Sequence, residues 1–162
     1  MVVEEVYTNA FDARVVDWLE TGASPYLNDS DANYIVAATD LINEGDWTFP
    51  NSAGSGAINS VKLRVELKGS KTEVGDVAVY VWDGTSWVLA GYATPTTSYA
   101  WIEIDVSAIL NTWAKINGAE VYFQYLKTFT GSTVVRRLTR KVDYTEAVAA
   151  VEFQGDGLTG WS

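Results

Sequence analysis

Alternation of apolar and polar residues is the clearest signal in this chain. In residues 61–68 apolar side chains occupy every second position and charged side chains fill the others. Because successive side chains of a strand point to opposite faces, this pattern predicts a half-buried antiparallel strand. The same alternation returns in residues 101–106, and shorter apolar runs occur at 2–7, 14–19 and 34–38. The dominant period is therefore that of a β-protein.

A β-hairpin is predicted at residues 77–89, whose sequence is VAVYVWDGTSWVL. The segment 83–86 has turn chemistry, since Asp and Gly tolerate the backbone of a tight reversal. A four-residue loop there sets Trp82 opposite Trp87. The valines then share one face, while Tyr80 and Trp82 share the other. Two non-polar faces are typical of a strand pair in a β-sandwich, and the aromatic face favours contact with another molecule.

The remaining elements complete an all-β fold. Helical spacing is convincing only in residues 107–115, and a long hairpin is predicted to join 119–128 to 132–144. We predict one domain over residues 1–162, a jelly-roll β-sandwich of roughly eight to ten antiparallel strands with one short helix near 107–115. We expect residues 147–162 to form a C-terminal strand and tail involved in assembly.

Composition excludes several classes of function. The 162 residues include 11 basic and 21 acidic side chains, a formal net charge of −10 that argues against a nucleic-acid partner. The chain has neither histidine nor cysteine, so thiol catalysis, a Ser-His-Asp triad, disulfides and zinc sites built on these residues are impossible. No apolar run approaches the ~18 residues of a membrane helix, so we expect no membrane insertion.

An acidic loop is a candidate calcium site. Asn28, Asp29, Asp31 and Asn33 place four oxygen-bearing side chains within six residues, and calcium takes six to eight oxygen ligands in proteins. The loop lacks the glycine and the bidentate glutamate of an EF-hand. The alternative is a solvated turn in which these side chains bond their own backbone. The prediction is therefore either no cofactor or a structural Ca2+ ion.

Aromatic residues supply a candidate glycan platform. The chain has seven tryptophans, and sugar rings stack their C–H surfaces on flat aromatic faces. The predicted platform comprises Tyr80, Trp82, Trp87 and Trp101, with Tyr122 as another neighbour. The alternative is that these large side chains pack in the core or against another subunit.

Chain ends and a basic cluster suggest self-association. Residues 2–7 and 147–153 are apolar, although chain ends usually fray. Four basic side chains lie within 136–141, and they either dock on an acidic patch of a neighbour or pair within the chain. We therefore expect a homo-oligomer or a larger protein lattice. The predicted subunit-contact residues are Val2, Val3, Val151, Phe153, Trp161, Arg136 and Arg140.

Catalysis is not expected. Glu103 and Asp105 share one strand face about 7 Å apart, a separation within the general range of glycosidase carboxylates. However, such pairs are ordinary on the exposed face of a strand. We predict that the chain is not an enzyme. A glycan-degrading activity of Glu103 and Asp105 is the least favoured of the three functions considered, after the two given below.

A set of loose motifs carries a family resemblance. They are Tyr7-Thr8-Asn9-Ala10 ahead of Trp18, the acidic loop 27–31 running into Tyr34-Ile35, residues 58–63, residues 96–101, the short helix, and Val134-Val135-Arg136. In this order they resemble jelly-roll modules of phage and prophage structural proteins and of prokaryotic surface proteins, which are similar in build to carbohydrate-binding modules. The resemblance covers most of 7–144 and implies a fold without supplying a catalytic residue.

Two functions follow as expectations. The first is a non-enzymatic structural module of a virion, either capsid-decorating or tail-associated, or of an extracellular assembly. This function implies a location in the virion, outside the cell or at its surface. The alternative is a carbohydrate-binding module that uses the aromatic platform and has a glycan as its partner.

Overall fold

The computed structural model describes residues 1–71, 75–126 and 131–147. Within these residues, eleven strands and one helix follow one another along the chain. They are β1 (Val2–Tyr7), β2 (Ala10–Val16), β3 (Leu19–Thr21), β4 (Tyr34–Ala37), β5 (Asn43–Thr48), β6 (Ala57–Gly69), β7 (Asp76–Trp82), β8 (Trp87–Ala93), β9 (Ala100–Asp105), α1 (Trp113–Asn117), β10 (Glu120–Leu126) and β11 (Thr133–Thr145).

The strands form two antiparallel sheets. The six-stranded sheet has the order β3-β4-β11-β6-β9, with β1 also paired to β11, and the five-stranded sheet has the order β2-β5-β10-β7-β8. Their inner faces meet in one apolar core, as the alternation predicts: Leu63 and Val65 of one sheet and Val79 and Val81 of the other are fully buried. The predicted all-β jelly-roll sandwich with one short helix is confirmed.

The helix lies further along the chain than predicted. It spans Trp113–Asn117 and is capped by Thr112, whose hydroxyl accepts a hydrogen bond from the backbone N–H of Lys115. The preceding segment is a turn, in which Leu110 donates its N–H to the carbonyl of Val106. The predicted bounds of 107–115 therefore merged a turn with the first residues of the helix, because both bury apolar side chains at similar spacing.

The predicted long hairpin is wrong. Strand β10 pairs with β5 and β7, whereas β11 pairs with β1, β4 and β6 in the other sheet. The two strands are consecutive along the chain but belong to different layers. Their alternation was read correctly, since both are half-buried, but alternation identifies a buried face and not a partner strand.

The N-terminal segment is held by its own sandwich. Strand β1 pairs with β11 over six residues, from Val2 opposite Tyr144 to Tyr7 opposite Thr139. Val2 is half-buried and Val3 is exposed. Pairing within the sheet therefore explains the order of this apolar end without a neighbouring subunit. Val151, Phe153 and Trp161, and with them most of the predicted strand and tail at 147–162, lie outside the described residues.

Among the residues that the structure describes, no helix is long and apolar enough to cross a membrane.

Candidate functional site

An aromatic cluster covers part of the outer face of the five-stranded sheet. Tyr80, Trp82, Trp87 and Tyr122 form it, and all four side chains are half-buried. Trp82 lies opposite Trp87 across the hairpin, as predicted, and Tyr80 lies opposite Tyr122 in the neighbouring strand pair. Because directly opposed residues of antiparallel strands project from the same face, strand register alone brings these four side chains together.

The hairpin loop that positions the two tryptophans is fixed by Asp83. Its carboxylate accepts hydrogen bonds from the backbone N–H groups of Thr85 and Ser86, each at 2.8 Å. These bonds stabilise the ionised form and lower the pKa of Asp83 to about 2. Gly84 follows with a φ of 104°, in the left-handed region that favours glycine. The loop therefore holds Trp82 and Trp87 in register.

The rings of the cluster pack against one another at different angles. Tyr80 and Tyr122 stack with centroids 4.6 Å apart and planes 2° apart. Trp87 meets Tyr122 edge-on at 4.8 Å and 76°, and it meets Trp82 at 5.5 Å and 60°. Stacked and edge-on contacts of this kind stabilise aromatic pairs in a defined arrangement. The cluster is consequently a preformed surface rather than a set of independent side chains.

The apolar face continues onto the edge strand β8. Leu89 lies opposite Tyr80 and is 40% exposed, while Tyr92 lies opposite Ala78 and is 52% exposed. These two side chains share the outer face with the aromatic cluster. A continuous apolar surface on one sheet face is characteristic of a binding surface, unlike scattered apolar residues.

A pocket opens at the Tyr122 end of the cluster. It has a volume of about 140 Å³ and is lined by Arg14, Val15, Asn43, Glu44, Gly45, Asp46 and Tyr122. The guanidinium of Arg14 connects it to the cluster, since it lies 5.0 Å from the ring centre of Trp87 and its Nε lies 3.6 Å from Oδ2 of Asp46. A cation over an indole face is an attractive arrangement. The pocket and the cluster therefore form one surface.

Three buried oxygens in the pocket lining lack a hydrogen-bond partner among the described residues. They are Oδ1 of Asn43, Oε2 of Glu44 and Oδ1 of Asp46. Burial raises the pKa of Glu44 to about 8, and the neighbouring carboxyl of Glu20 adds to this effect. Burial also raises the pKa of Asp46 to about 6, against the opposing attraction of Arg14. The pocket thus holds polar atoms whose hydrogen-bonding capacity is not used among the described residues.

Gly45 allows β5 and β10 to approach closely at the pocket. It lies opposite Tyr122, where the register of the two strands shifts. A Cβ on residue 45 would overlap the Cβ of Tyr122. The missing side chain lets Tyr122 stand between the pocket and the aromatic cluster.

The structure separates Trp101 from the other predicted platform residues. Tyr80, Trp82 and Trp87 come together, but Trp101 lies in β9 of the six-stranded sheet, with the Arg64 guanidinium 4.7 Å from its ring centre. Tyr122 takes its place in the cluster. The prediction for Trp101 failed because sequence alternation does not assign a strand to one of two sheets.

The acidic loop is arranged as a hydrogen-bonded turn. Asn33 donates through Nδ2 to Oδ1 of Asn28 at 2.9 Å, and its own Oδ1 accepts the N–H of Ala23. Asp29 and Asp31 form ion pairs with Arg137. The guanidinium supplies positive charge beside these two carboxylates, and calcium binding by the four residues remains a prediction. No group of three or more acidic side chains suited to a metal occurs in the part of the chain that the structure describes.

The basic cluster is paired within the chain. Arg136 and Arg137 both contact Oε1 of Glu66 at 2.5 Å. A register shift after Val135 turns Arg136 outward, where its guanidinium lies 3.8 Å from the ring centre of Tyr99. Internal pairing, one of the two alternatives for this cluster, is thus observed, and a subunit contact of Arg136 remains a prediction.

Arg140 lies inside the protein, which corrects its prediction as a subunit contact. Its side chain is fully buried, and its guanidinium donates to the carbonyl oxygens of Ile116 at 3.0 Å and Pro50 at 2.8 Å. Nη2 also lies 3.6 Å from Glu4 in β1. Burial lowers the pKa of Arg140 and Glu4 opposes that effect. The residue connects β11, α1 and the N-terminal strand.

Both members of the carboxylate pair on β9 are engaged in contacts with neighbouring side chains or backbone. Glu103 forms ion pairs with Lys62 at 3.5 Å and Arg64 at 3.2 Å. Asp105 accepts the N–H and the hydroxyl of Ser107. The pair therefore stabilises the surface of the six-stranded sheet.

Sequence reasoning missed the pocket. Its residues fall in the polar run 43–46, which reads as a break between strands, and on the exposed side of β2. The detectable signal was the sequence NEGDW, in which two carboxylates flank a glycine directly before a buried tryptophan.

Comparisons with known proteins bear on the fold. No protein-family model matches the chain, and no curated protein matches it. Among solved structures, the chain is similar to CBM29_1, a family 29 carbohydrate-binding module from Piromyces equi, with 13% identity, 88% of this chain and 91% of that chain covered, and a TM-score of 0.52. A second family 29 carbohydrate-binding module matches at 13% identity, with 87% and 90% covered and a TM-score of 0.50. The chain thus shares its β-sandwich fold with carbohydrate-binding modules, and these neighbours give no support to the phage part of the resemblance.

Proposed function

We propose that this protein is a non-catalytic carbohydrate-binding module that binds a glycan across the aromatic cluster. The observation that carries the proposal is the set of four packed rings on one sheet face, beside two exposed apolar side chains and a polar pocket. Small-molecule sites characteristically combine aromatic walls with a few placed polar groups. Sugars match such a surface because they present C–H faces to the rings and hydroxyl groups to the polar atoms.

The fold supports the same proposal by analogy. The similar solved structures are carbohydrate-binding modules, and the match extends over most of both chains. Because one fold hosts many functions, this likeness raises the expectation without locating a site. On the same basis we propose an extracellular location, where a carbohydrate-binding module would contact polysaccharides.

The assembly function loses those of its supporting observations that fall within the described residues, whereas Val151, Phe153 and Trp161 lie outside them. The N-terminal strand is paired inside the six-stranded sheet. Arg136 is paired with Glu66, and Arg140 is buried. Three of the aromatic residues that suggested subunit contact instead belong to the cluster on the five-stranded sheet. A glycan partner accounts for this cluster with fewer assumptions than a lattice of sister molecules.

Binding to soluble polysaccharides tests the proposal. The protein is run through native gels containing mannan, mixed-linkage glucan or xylan. If a glycan retards the protein, oligosaccharides of that glycan are then titrated into the protein in a calorimeter. We expect Trp82→Ala and Trp87→Ala each to weaken binding at least about tenfold, equivalent to 1.4 kcal/mol, because each removes a ring from the contact surface.

Trp101→Ala is the matched control. It removes the same type of side chain, also half-buried, from the opposite sheet, and it should bind as the wild type does. Equal affinity of Trp87→Ala and Trp101→Ala would refute the aromatic cluster as the site. A wild-type protein that binds no glycan and forms concentration-dependent oligomers by light scattering would favour the assembly function instead.

A further inference from the structure

We infer that the pocket beside Tyr122 is the polar subsite of the glycan site and that it takes the hydroxyl-bearing edge of a sugar residue without negative charge. This inference rests on the proposed function and adds a substrate class to it. The pocket and the cluster share Tyr122, and Arg14 reaches from Asp46 in the pocket to the face of Trp87. A sugar stacked on the cluster therefore has this pocket beside it.

Polar atoms without partners indicate what the pocket binds. Asp46 is 4% exposed and Glu44 is fully buried, yet each has one carboxyl oxygen without a hydrogen-bond partner among the described residues, as does the side-chain carbonyl of Asn43. Burying such atoms unpaired is costly, so native proteins normally satisfy them. A ligand that brings several O–H donors removes this cost, and a sugar edge carries donors on neighbouring carbon atoms.

The space is sufficient for such a group. The pocket volume of about 140 Å³ is many times the roughly 10–15 Å³ that a single water molecule needs. It therefore admits part of a sugar ring together with bridging water. Gly45 lines the pocket, and its missing side chain leaves room for Tyr122 beside it.

Arg14 and Asp46 provide complementary hydrogen-bonding groups. A guanidinium has five N–H donors and no acceptor, whereas a carboxylate only accepts. The two groups are 3.6 Å apart, and Oδ1 of Asp46 remains unpaired. Adjacent sugar hydroxyls can each donate and accept, so one can donate to Asp46 while its neighbour accepts from Arg14.

The charges around the pocket disfavour an anionic sugar. Among the lining residues Arg14 is the one cation, and it already pairs with Asp46. The negative charges of Glu120 and Asp12 also act on Asp46. Glu44 adds a second carboxyl group to the lining, which burial keeps largely protonated at neutral pH. A uronate carboxylate would meet the negative charge of Asp46 and would find Arg14 already paired, whereas a neutral sugar meets matching partners.

The test compares sugars and then variants. Wild-type protein is titrated with the neutral oligosaccharide identified in gels and with oligogalacturonate of the same length. We expect at least tenfold tighter binding of the neutral ligand. Equal or tighter binding of the oligogalacturonate would overturn the inference, and this comparison needs no variant to fold.

Asp46→Asn then tests the subsite itself. It replaces an acceptor oxygen with a donor at nearly constant shape, and we expect at least tenfold weaker binding of the neutral sugar. Glu103→Gln, on the other sheet, is the matched control and should bind normally. Wild-type affinity in Asp46→Asn together with a loss in Trp87→Ala would overturn the subsite while leaving the proposed function standing.

Two further results would also overturn the inference. If no glycan binds the wild type, the proposed function and the subsite fall together. If Ca2+ alone binds in calorimetry and Asp46→Asn abolishes that binding, the unpaired oxygens serve a cation rather than a sugar.

Discussion

The buried carboxyl group of Glu44 predicts that this protein loses stability as the pH rises from 6 to 8. The side chain is fully buried at the boundary between the core and the pocket. One of its oxygens accepts the N–H of Trp18 at 3.3 Å, and the other has no partner among the described residues. Burial, with the carboxyl groups of Glu20 and Asp17 nearby, raises its pKa from 4.5 to about 8.

The sign follows from proton linkage. Between pH 4.5 and 8 the folded protein binds a proton at Glu44 that the unfolded chain has lost, so the free energy of unfolding falls as the pH rises. The stabilisation is complete below pH 4.5 and is lost as the pH passes through 8. From pH 6 to pH 8 the expected loss is about 2 kcal/mol. Asp46, with a pKa of about 6, adds less than about 0.5 kcal/mol in the same direction.

The absence of histidine makes this pH range diagnostic. No histidine occurs in the chain, so no side chain with an ordinary pKa titrates between pH 6 and 8. For a domain of this size a loss of about 2 kcal/mol corresponds to a fall in melting temperature of about 4–8 °C. Thermal unfolding followed by tryptophan fluorescence at constant ionic strength measures it.

Glu44→Gln identifies the responsible group. The amide keeps an oxygen for the Trp18 N–H and cannot ionise, so its melting temperature should change little between pH 6 and 8. Glu103→Gln, which neutralises a surface carboxylate, should retain the wild-type slope. A wild-type change smaller than about 1 °C, or a full slope in Glu44→Gln, would refute the reasoning, because either result means that Glu44 is ionised in the folded protein.

Three further predictions concern packing and charge. Gly45→Ala should destabilise the protein by about 1–3 kcal/mol and weaken glycan binding, because the new methyl group overlaps Tyr122; unchanged thermal unfolding would contradict the close approach of β5 and β10. Arg140→Met should cost about 3–5 kcal/mol in denaturant unfolding, since it leaves Glu4 and two carbonyl oxygens without their buried partner; a loss below about 1 kcal/mol would speak against a buried guanidinium. EDTA should leave the melting temperature unchanged because an arginine neutralises Asp31, and a fall would instead reveal a bound cation.

Local sequence signals predicted the hairpin in detail. The turn chemistry of 83–86 and the flanking alternation were sufficient to place Trp82 opposite Trp87 and to bury the valines. Loop length determines register in a hairpin, and register determines which side chains share a face. The central part of the aromatic cluster could therefore be predicted from the sequence.

Non-local features were not predictable in this way. The predicted pairing of β10 with β11 and the predicted place of Trp101 in the platform are both wrong for one reason, because each depends on which sheet a strand enters. A half-buried strand has the same alternation in either layer of a sandwich. The assignment depends on how whole sheets pack, and this information is spread over the entire chain.

The chemistry of the pocket was likewise not predictable from local sequence. Asn43, Glu44 and Asp46 read as a polar break because polar residues are usually exposed. Their burial arises only when β2 and β10 close on either side of β5. The raised pKa values of the two carboxyl groups likewise depend on that packing and not on their neighbours in sequence.

The contrast between the two outer faces is the reason that we propose recognition on the five-stranded sheet. On the six-stranded sheet, Arg64 pairs with Glu5 and Glu103 and covers Trp101. The five-stranded sheet has a similar arginine, since Arg14 pairs with Asp46 and covers Trp87. On the five-stranded sheet, apolar rings remain exposed in part and Asp46 retains an unpaired oxygen. Binding free energy is gained mainly where protein groups are preformed and still unsatisfied. For this reason the comparison of Trp87→Ala with Trp101→Ala tests the two surfaces and not merely two tryptophans.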